Sequence, residues 1–390
     1  MTSSAIGTLV LIAAAAALAP FISEGLSRRV AVPEVVVQIL LGVVLGPYVL
    51  GIAHPGEIVK ALSEFGLTYL MFLAGAELDL ARVGESRLLL ATSGWFLSLA
   101  LAIGLSALLV ATGLVRDSLV IGLCLTTTAL GTLLPTLKDA GVFQTRFGTT
   151  LLAVGALGEF GPIVAGTLLL TTRNAVVTGV LTVTFIALSV GAAIAAMRVR
   201  PPGFVGMVRR HLHTTSQLPV RISLLLVFLL AYLALKLGLD VLVGAFAAGI
   251  VVRLFIAGDE SELVTSKLET IGYGFLIPIF FIVSGITLDL QALVDHPLTL
   301  VSVPLFLVLF FVTRGAPALV LYRRALPSSQ RWALAFFASA GLPLIVAITT
   351  IGVDEGKLKP ANAAALVTAG MLSVLIYPLL GFWKLRTMAK

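Results

Sequence analysis

Glu159 is a lone carboxylate in LLAVGALGEFGPIVAGTLLL (Leu151–Leu170), flanked on both sides by uncharged residues over a length that crosses a bilayer. An ionised side chain near the bilayer centre costs roughly 2.5–3.5 kcal/mol on insertion scales, so such residues face a protein interior or a water-filled path and mark ion or proton routes. A second intramembrane charge, Arg314 in LVLFFVTRGAPALVLY, offers a partner. A Glu–Arg pair that only orients helices is the plainer alternative.

Two interrupted spans must position these charges. The fifth apolar run (residues 118–137) carries Thr126, Thr127, Thr128, Gly131 and Pro135, and the twelfth (332–351) carries Ser339, Ala340, Gly341, Leu342 and Pro343. Proline frees backbone groups and glycine loosens a helix, while hydroxyls and unpaired carbonyls can coordinate a cation in hydrocarbon. The local reading of the three threonines is hydroxyls bonded back to the preceding turn. Beside a second broken helix and an intramembrane Glu, an ion site is expected, with Thr127 and Thr128 as monovalent-cation ligands together with Glu159.

The whole chain is built to suit. It has 59% hydrophobic residues, 12% charged residues and a mean hydropathy of +1.10, which excludes a soluble globule. Apolar runs recur from end to end and give about thirteen transmembrane helices of an all-α protein. The first run (Ile6–Ile22) lacks a basic leader and is expected to be a retained helix. The lone Cys124 excludes a disulfide framework. Lys and Arg cluster in alternate loops, at Arg28–Arg29, Arg82, Arg87, Lys138, Arg146, from Arg198 to Arg221, at Arg323–Arg324 and at the C-terminus. Opposite loops hold single residues such as Lys60, Arg116 and Arg173. The bias places the N-terminus outside and the C-terminus in the cytoplasm. The net charge of +7 follows from that topology and is no nucleic-acid footprint.

An internal echo organises the helices. FLAGAELDL (Phe72–Leu80) in the third is repeated as IVSGITLDL (Ile282–Leu290) in the tenth, aligning Gly75 with Gly285, Leu78 with Leu288 and Asp79 with Asp289. A seven-helix offset makes the copies antiparallel, as in the inverted repeats of secondary transporters. LLGVVLGP and LVGAFAAGI extend the echo, with Gly42 and Gly46 set against Gly244 and Gly249. The expected halves are residues 1–172 (with the ion-site helix at 148–170) and 220–390, joined by a linker helix and basic loop over 173–219. Asp79 and Asp289 are read as helix-end residues at the membrane surface.

The ordered set PEVVVQILLGVVLGP, FGLTYLMFLAGAELDL, LCLTTTALGTLLPTL, VGAFAAGIVV and PIFFIVSGITLDL resembles the monovalent cation:proton antiporters of the sodium/hydrogen exchanger superfamily. The similarity is to the membrane domain of its bacterial Kef-type and Nap-type branch. It implies a homodimer of thirteen-helix subunits in a bacterial plasma membrane, each with a mobile core domain that moves its ion like an elevator. Glu159 falls where the family has its essential acid, and Arg314 where many members have an intramembrane Lys. The chain departs from the family's paired Asp-Asp, which here reads Gly158–Glu159, and has Gly341–Leu342 where some relatives carry a basic residue. No nucleotide-binding regulatory domain follows the last helix, so nucleotide or glutathione gating is not expected.

The mechanism expected from one carboxylate is competition: Glu159 holds either a monovalent cation, sodium or potassium, or a proton, and Gly158 contributes backbone only. Exchange would then be electroneutral and one-for-one. Arg314 cannot release a proton, so its expected role is a fixed charge that pairs with empty Glu159. No resident cofactor is implied. A sodium-coupled organic-anion symporter and a Kef-like potassium efflux protein remain alternatives. An intramembrane enzyme is disfavoured, because HExxH, a membrane-embedded Asp pair and a Ser/His pairing are all missing from the sequence.

Overall fold

The computed structural model describes residues 3–27, 32–77, 85–113, 115, 118–129, 137, 141–142, 145–169, 175–199, 216–255, 261–289, 291 and 297–386. Among these the regular structure is helical throughout. In chain order the helices are α1 (Ser3–Ser27), α2 (Glu34–Leu45), α3 (Glu57–Glu77), α4 (Glu85–Ala111), α5 (Ser118–Leu125), α6 (Arg146–Leu169), α7 (Ala175–Val199), α8 (Leu218–Lys236) and α9 (Val241–Phe255). α10 runs Ser261–Ile271, widens into a π turn at Gly272–Leu276 and continues over Ile277–Ile286. α11 does the same, with Pro297–Phe310, a π turn at Phe311–Gly315 and Ala316–Leu321. α12 (Ser328–Ala338), α13 (Leu342–Asp354) and α14 (Pro360–Arg386) complete the set.

Nine spans among the described residues are long and apolar enough to cross a membrane, with α12 and α13 counted as one. Their outer faces are apolar too: Val10 and Phe21 on α1, Phe96 and Leu108 on α4, and Leu225 and Tyr232 on α8 are more than half exposed. A helix that is apolar on both its packed and its open face belongs in lipid. The third and eighth runs, short in the sequence, reach spanning length by recruiting Glu57–Glu64 at the start of α3 and Leu218–Arg221 at the start of α8.

The chain forms two compact units. One comprises residues 1–59, 80–166 and 281–390, and the other 60–79 and 167–280, so each draws on both halves of the sequence. Within the first, Gly42 of α2 lies against Gly285 of α10, and a side chain on either would overlap backbone, at Ile282 O or Ile39 O. Within the second, Gly249 of α9 lies against Gly75 of α3, and a side chain would overlap Phe72 O or Phe246 O. The nearest contacts are equivalent in the two crossings: Phe72 aligns with Ile282, Gly75 with Gly285, and Ile39 with Phe246. They correct one register. Gly42 matches Gly249 and not Gly244, whose close neighbours are Leu230 O and Ala231 on α8. The sequence alignment slid because the segment is rich in small residues, whereas backbone approach fixes which glycine has no room for a side chain.

Asp289 follows the end of α10, where it accepts a hydrogen bond from Tyr48, just beyond α2. That bond and the carboxylate's charge raise the Tyr48 hydroxyl above its ordinary pKa. Asp79 lies outside the described residues, as do Gly131, Pro135 and most of the basic loop that follows α7.

Candidate functional site

The break after α5 begins where Thr126 leaves helical geometry, and residues 127–129 run without regular structure. Its counterpart is Ser339–Gly341, between α12 and α13. Such ends leave amide and carbonyl groups without helical partners, and in hydrocarbon each must find another. Here they find one another. Ala129 N–H donates to Ala340 O at 2.6 Å, Thr127 Oγ1 donates to Gly341 O at 3.2 Å, and Thr128 Oγ1 donates to Ala338 O at 2.5 Å. A side chain at Gly341 would overlap Thr127 Oγ1, so glycine is what permits the crossing. Pro343 occupies the first turn of α13, where a missing N–H removes no helical bond.

α6 supplies the third strand of this arrangement. Pro162 lies inside the helix. It has no N–H to donate four residues back, which frees the carbonyl of Gly158. Thr128 N–H takes that carbonyl at 3.0 Å. A proline inside one helix thereby anchors the break of another through a carbonyl one position before Glu159.

The three threonines divide. Thr126 Oγ1 donates back to Leu123 O at 2.8 Å, the local pattern. Thr127 Oγ1 shares its hydrogen between Cys124 O at 2.9 Å and Gly341 O. Thr128 faces across the site and accepts from Arg314, Nε at 3.1 Å and Nη2 at 2.8 Å. All three are buried, as is Ser339, whose hydroxyl turns back to Ala335 O at 2.7 Å.

Arg314 is 3% exposed and lies in the π turn of α11. π turns are uncommon and recur at functional sites. Neighbouring Thr313 ties the turn to the end of α5 by donating to Leu125 O at 2.7 Å. Beyond Thr128, the guanidinium donates to Val154 O at 3.0 Å, Ala338 O at 3.4 Å and Ser98 Oγ at 3.4 Å. Ala338 ends α12, so the cation also meets the negative pole of that helix. Every acceptor in this set is a neutral oxygen. Glu159 is not among them; it is half-buried on α6 beside fully packed Gly158.

Gly158 explains the missing first carboxylate in steric terms. A Cβ there would stand 2.5 Å from Thr128 Oγ1 and 2.6 Å from Arg314 Nη2. The guanidinium fills the space that a side chain at 158 would need. One helical turn along, the Trp95 indole lies over Gly161 in the same way.

Sequence reasoning singled out Glu159, Gly158, Arg314 and the two interrupted spans, but not Ser98, Trp95, Thr313, Pro162 or Tyr322. Pro162 carried a readable signal, a proline three residues from the intramembrane acid. Ser98 and Trp95 carried none, since a serine and a tryptophan in an apolar run look like many others.

Residues 13–386 match the family described as sodium/hydrogen exchanger, transmembrane. Among curated relatives, a putative Na(+)/H(+) antiporter of Bacillus subtilis is 27% identical over 328 residues, covering 78% of this chain and 51% of the relative. A Na(+)/H(+)-K(+) antiporter of Bacillus cereus is 28% identical over 281 residues, covering 69% and 68%. A glutathione-regulated potassium-efflux system protein of Klebsiella pneumoniae is 25% identical over 303 residues, covering 76% and 47%. The match thus spans about half the length of the Bacillus subtilis and Klebsiella relatives.

Proposed function

Since the chain belongs to the sodium/hydrogen exchanger transmembrane family, we propose that it exchanges a monovalent cation, sodium or potassium, for protons across a bacterial plasma membrane. The observation that carries this reading is the junction of α6 with the first break. Thr128 N–H binds the carbonyl that Pro162 releases at Gly158, which brings the two broken ends, a buried cation and the helix bearing Glu159 to one place. Cation and proton compete for the single Glu159 carboxylate, with Thr127 and Thr128 hydroxyl lone pairs and freed carbonyls as further cation ligands. Arg314 is the fixed positive charge of the site.

With one carboxylate, the moving unit is Glu159 with a cation or neutral protonated Glu159, so exchange is electroneutral and one-for-one. The movement is of the elevator type, in a homodimer with its C-terminus in the cytoplasm. The matched crossings Gly42–Gly285 and Gly249–Gly75 support two inverted six-helix repeats, residues 1–172 and 220–390, as the architecture behind it.

The test is dissipation of a pH gradient in proteoliposomes on adding sodium, lithium or potassium, for wild type and Glu159→Gln. Cation-specific proton movement that disappears in the variant supports exchange at Glu159 and names the ion. Undiminished movement in the variant places the site elsewhere, and a current driven by membrane potential well above leak defeats electroneutrality. The potassium-efflux reading, favoured by the Klebsiella relative, predicts a response to potassium alone.

A further inference from the structure

Two buried polar groups beside Arg314 have no role in the exchange site. Among the described residues the Trp95 indole N–H and the Tyr322 hydroxyl have no hydrogen-bond partner, although the residues are 5% and 2% exposed. Leaving such a group unmade costs about 1–3 kcal/mol, so one orphan is notable and two together more so. Both line a single small cavity between α4, α6 and α11, whose wall also includes Ser98, Val154, Arg314 and Ala318.

The cavity's chemistry is one-sided. Ser98 donates its own hydrogen to Gly94 O at 3.0 Å, so it meets Arg314 only as an acceptor. Among the described residues Arg314 Nη1 has that serine, at 3.4 Å, as its one bond. A guanidinium Nη carries two hydrogens, so Nη1 retains one to give. Three donors therefore border one space: the guanidinium Nη1–H, the indole N–H and the phenol O–H. Indole and guanidinium have no acceptor capacity. Among the described residues no acidic side chain lines the space, and one wall carries a full positive charge. A water molecule satisfies at most two of the three donors and brings two hydrogens that themselves need acceptors. An anion accepts all three and offsets the charge.

We propose that Trp95, Tyr322 and Arg314 form a binding site for a small monovalent anion of the halide class. Bound there, the anion neutralises Arg314 on the face turned away from Thr128. The site is separate from the Glu159 reading, because binding can be measured without transport.

The experiment uses the double variant Trp332→Phe/Trp383→Phe, which leaves Trp95 as the only one of the chain's three tryptophans. Sodium bromide is titrated against sodium gluconate at constant sodium, and indole fluorescence is followed, since bromide quenches on contact. Saturable quenching is expected, with a midpoint weakened about tenfold or more in a Tyr322→Phe background, the effect of losing one hydrogen bond to an ion. That background removes only an unpartnered hydroxyl and keeps the packed ring. Quenching that rises linearly without saturation, or a midpoint unmoved by Tyr322→Phe, overturns the proposal and leaves water as the occupant. A parallel melt of the otherwise unaltered chain guards against damage from the tryptophan substitutions. Chloride or bromide in place of gluconate should raise the melting temperature more in wild type than in Tyr322→Phe; equal melting of wild type in all three salts counts against an anion.

Discussion

Backbones come close at two kinds of crossing in this protein, by opposite means. At Gly42–Gly285 and Gly249–Gly75 the helices stay intact and the side chains are deleted. At Thr126–Ala129 and Ser339–Gly341 the helices are undone and the freed groups pair with each other, with Gly158 O and with Arg314. The first solution works by removing side chains from the contact. The second gathers hydroxyls, carbonyl ends and a buried cation beside an acid. Close packing is common to both, and only unwinding makes chemistry available.

The sharpest way to break this contrast is to substitute at each kind of crossing. Gly249→Val should destabilise by ~3 kcal/mol or more, because a side chain there meets backbone that has no free direction to move. We expect little or no monodisperse protein by size exclusion. Glu159→Gln should fold like wild type and lose coupled proton movement in proteoliposomes; a misfolded Glu159→Gln together with a well-behaved Gly249→Val would reverse the assignment of roles.

Thr128→Val comes next. It withdraws the acceptor shared by Arg314 Nε and Nη2 and the donor to Ala338 O, and a buried group left unsatisfied costs about 1–3 kcal/mol. A lowered melting temperature and an exchange rate reduced at least tenfold are expected. Gly158→Ala presses on the same two groups from the other side, at a cost of about 1–3 kcal/mol for overpacking, and should depress melting and exchange in parallel. Thr126→Ala should change least. Its hydroxyl bonds only within its own turn, so a loss under about 1 kcal/mol and near-normal exchange are expected. An effect of Thr126→Ala as large as that of Thr128→Val would mean that the hydroxyls act as a set.

What was legible in the sequence tracks what each feature depends on. Span positions depend on hydrophobic length, so α9 (Val241–Phe255) coincides with an apolar stretch of the sequence, while α3 begins on Glu57–Glu64, which is too mixed to register as part of one. The breaks were legible through their Gly, Pro and Thr content. The partners of those breaks were not, because a carbonyl such as Val154 O or Ala338 O has no sequence signature at all. Arg314 was legible as a buried charge, and Glu159 was the obvious carboxylate to expect beside it. The bonds of Arg314 to neutral oxygens reflect a three-dimensional supply of acceptors, from α4, the break after α5, α6 and α12, that no linear spacing encodes.

The π turns of α10 and α11 are each followed two residues later by a proline, Pro278 and Pro317. A π turn holds one residue more than the α-helical turn it replaces, so in an alignment it is a single-residue insertion buried inside a helix. Deleting one residue from 311–315 would restore a uniform helix. It would also turn everything beyond it by about 100° relative to what precedes it, carrying Tyr322 out of register with Trp95. Length variation, usually confined to loops, is at this one place a matter of which side chains share a wall.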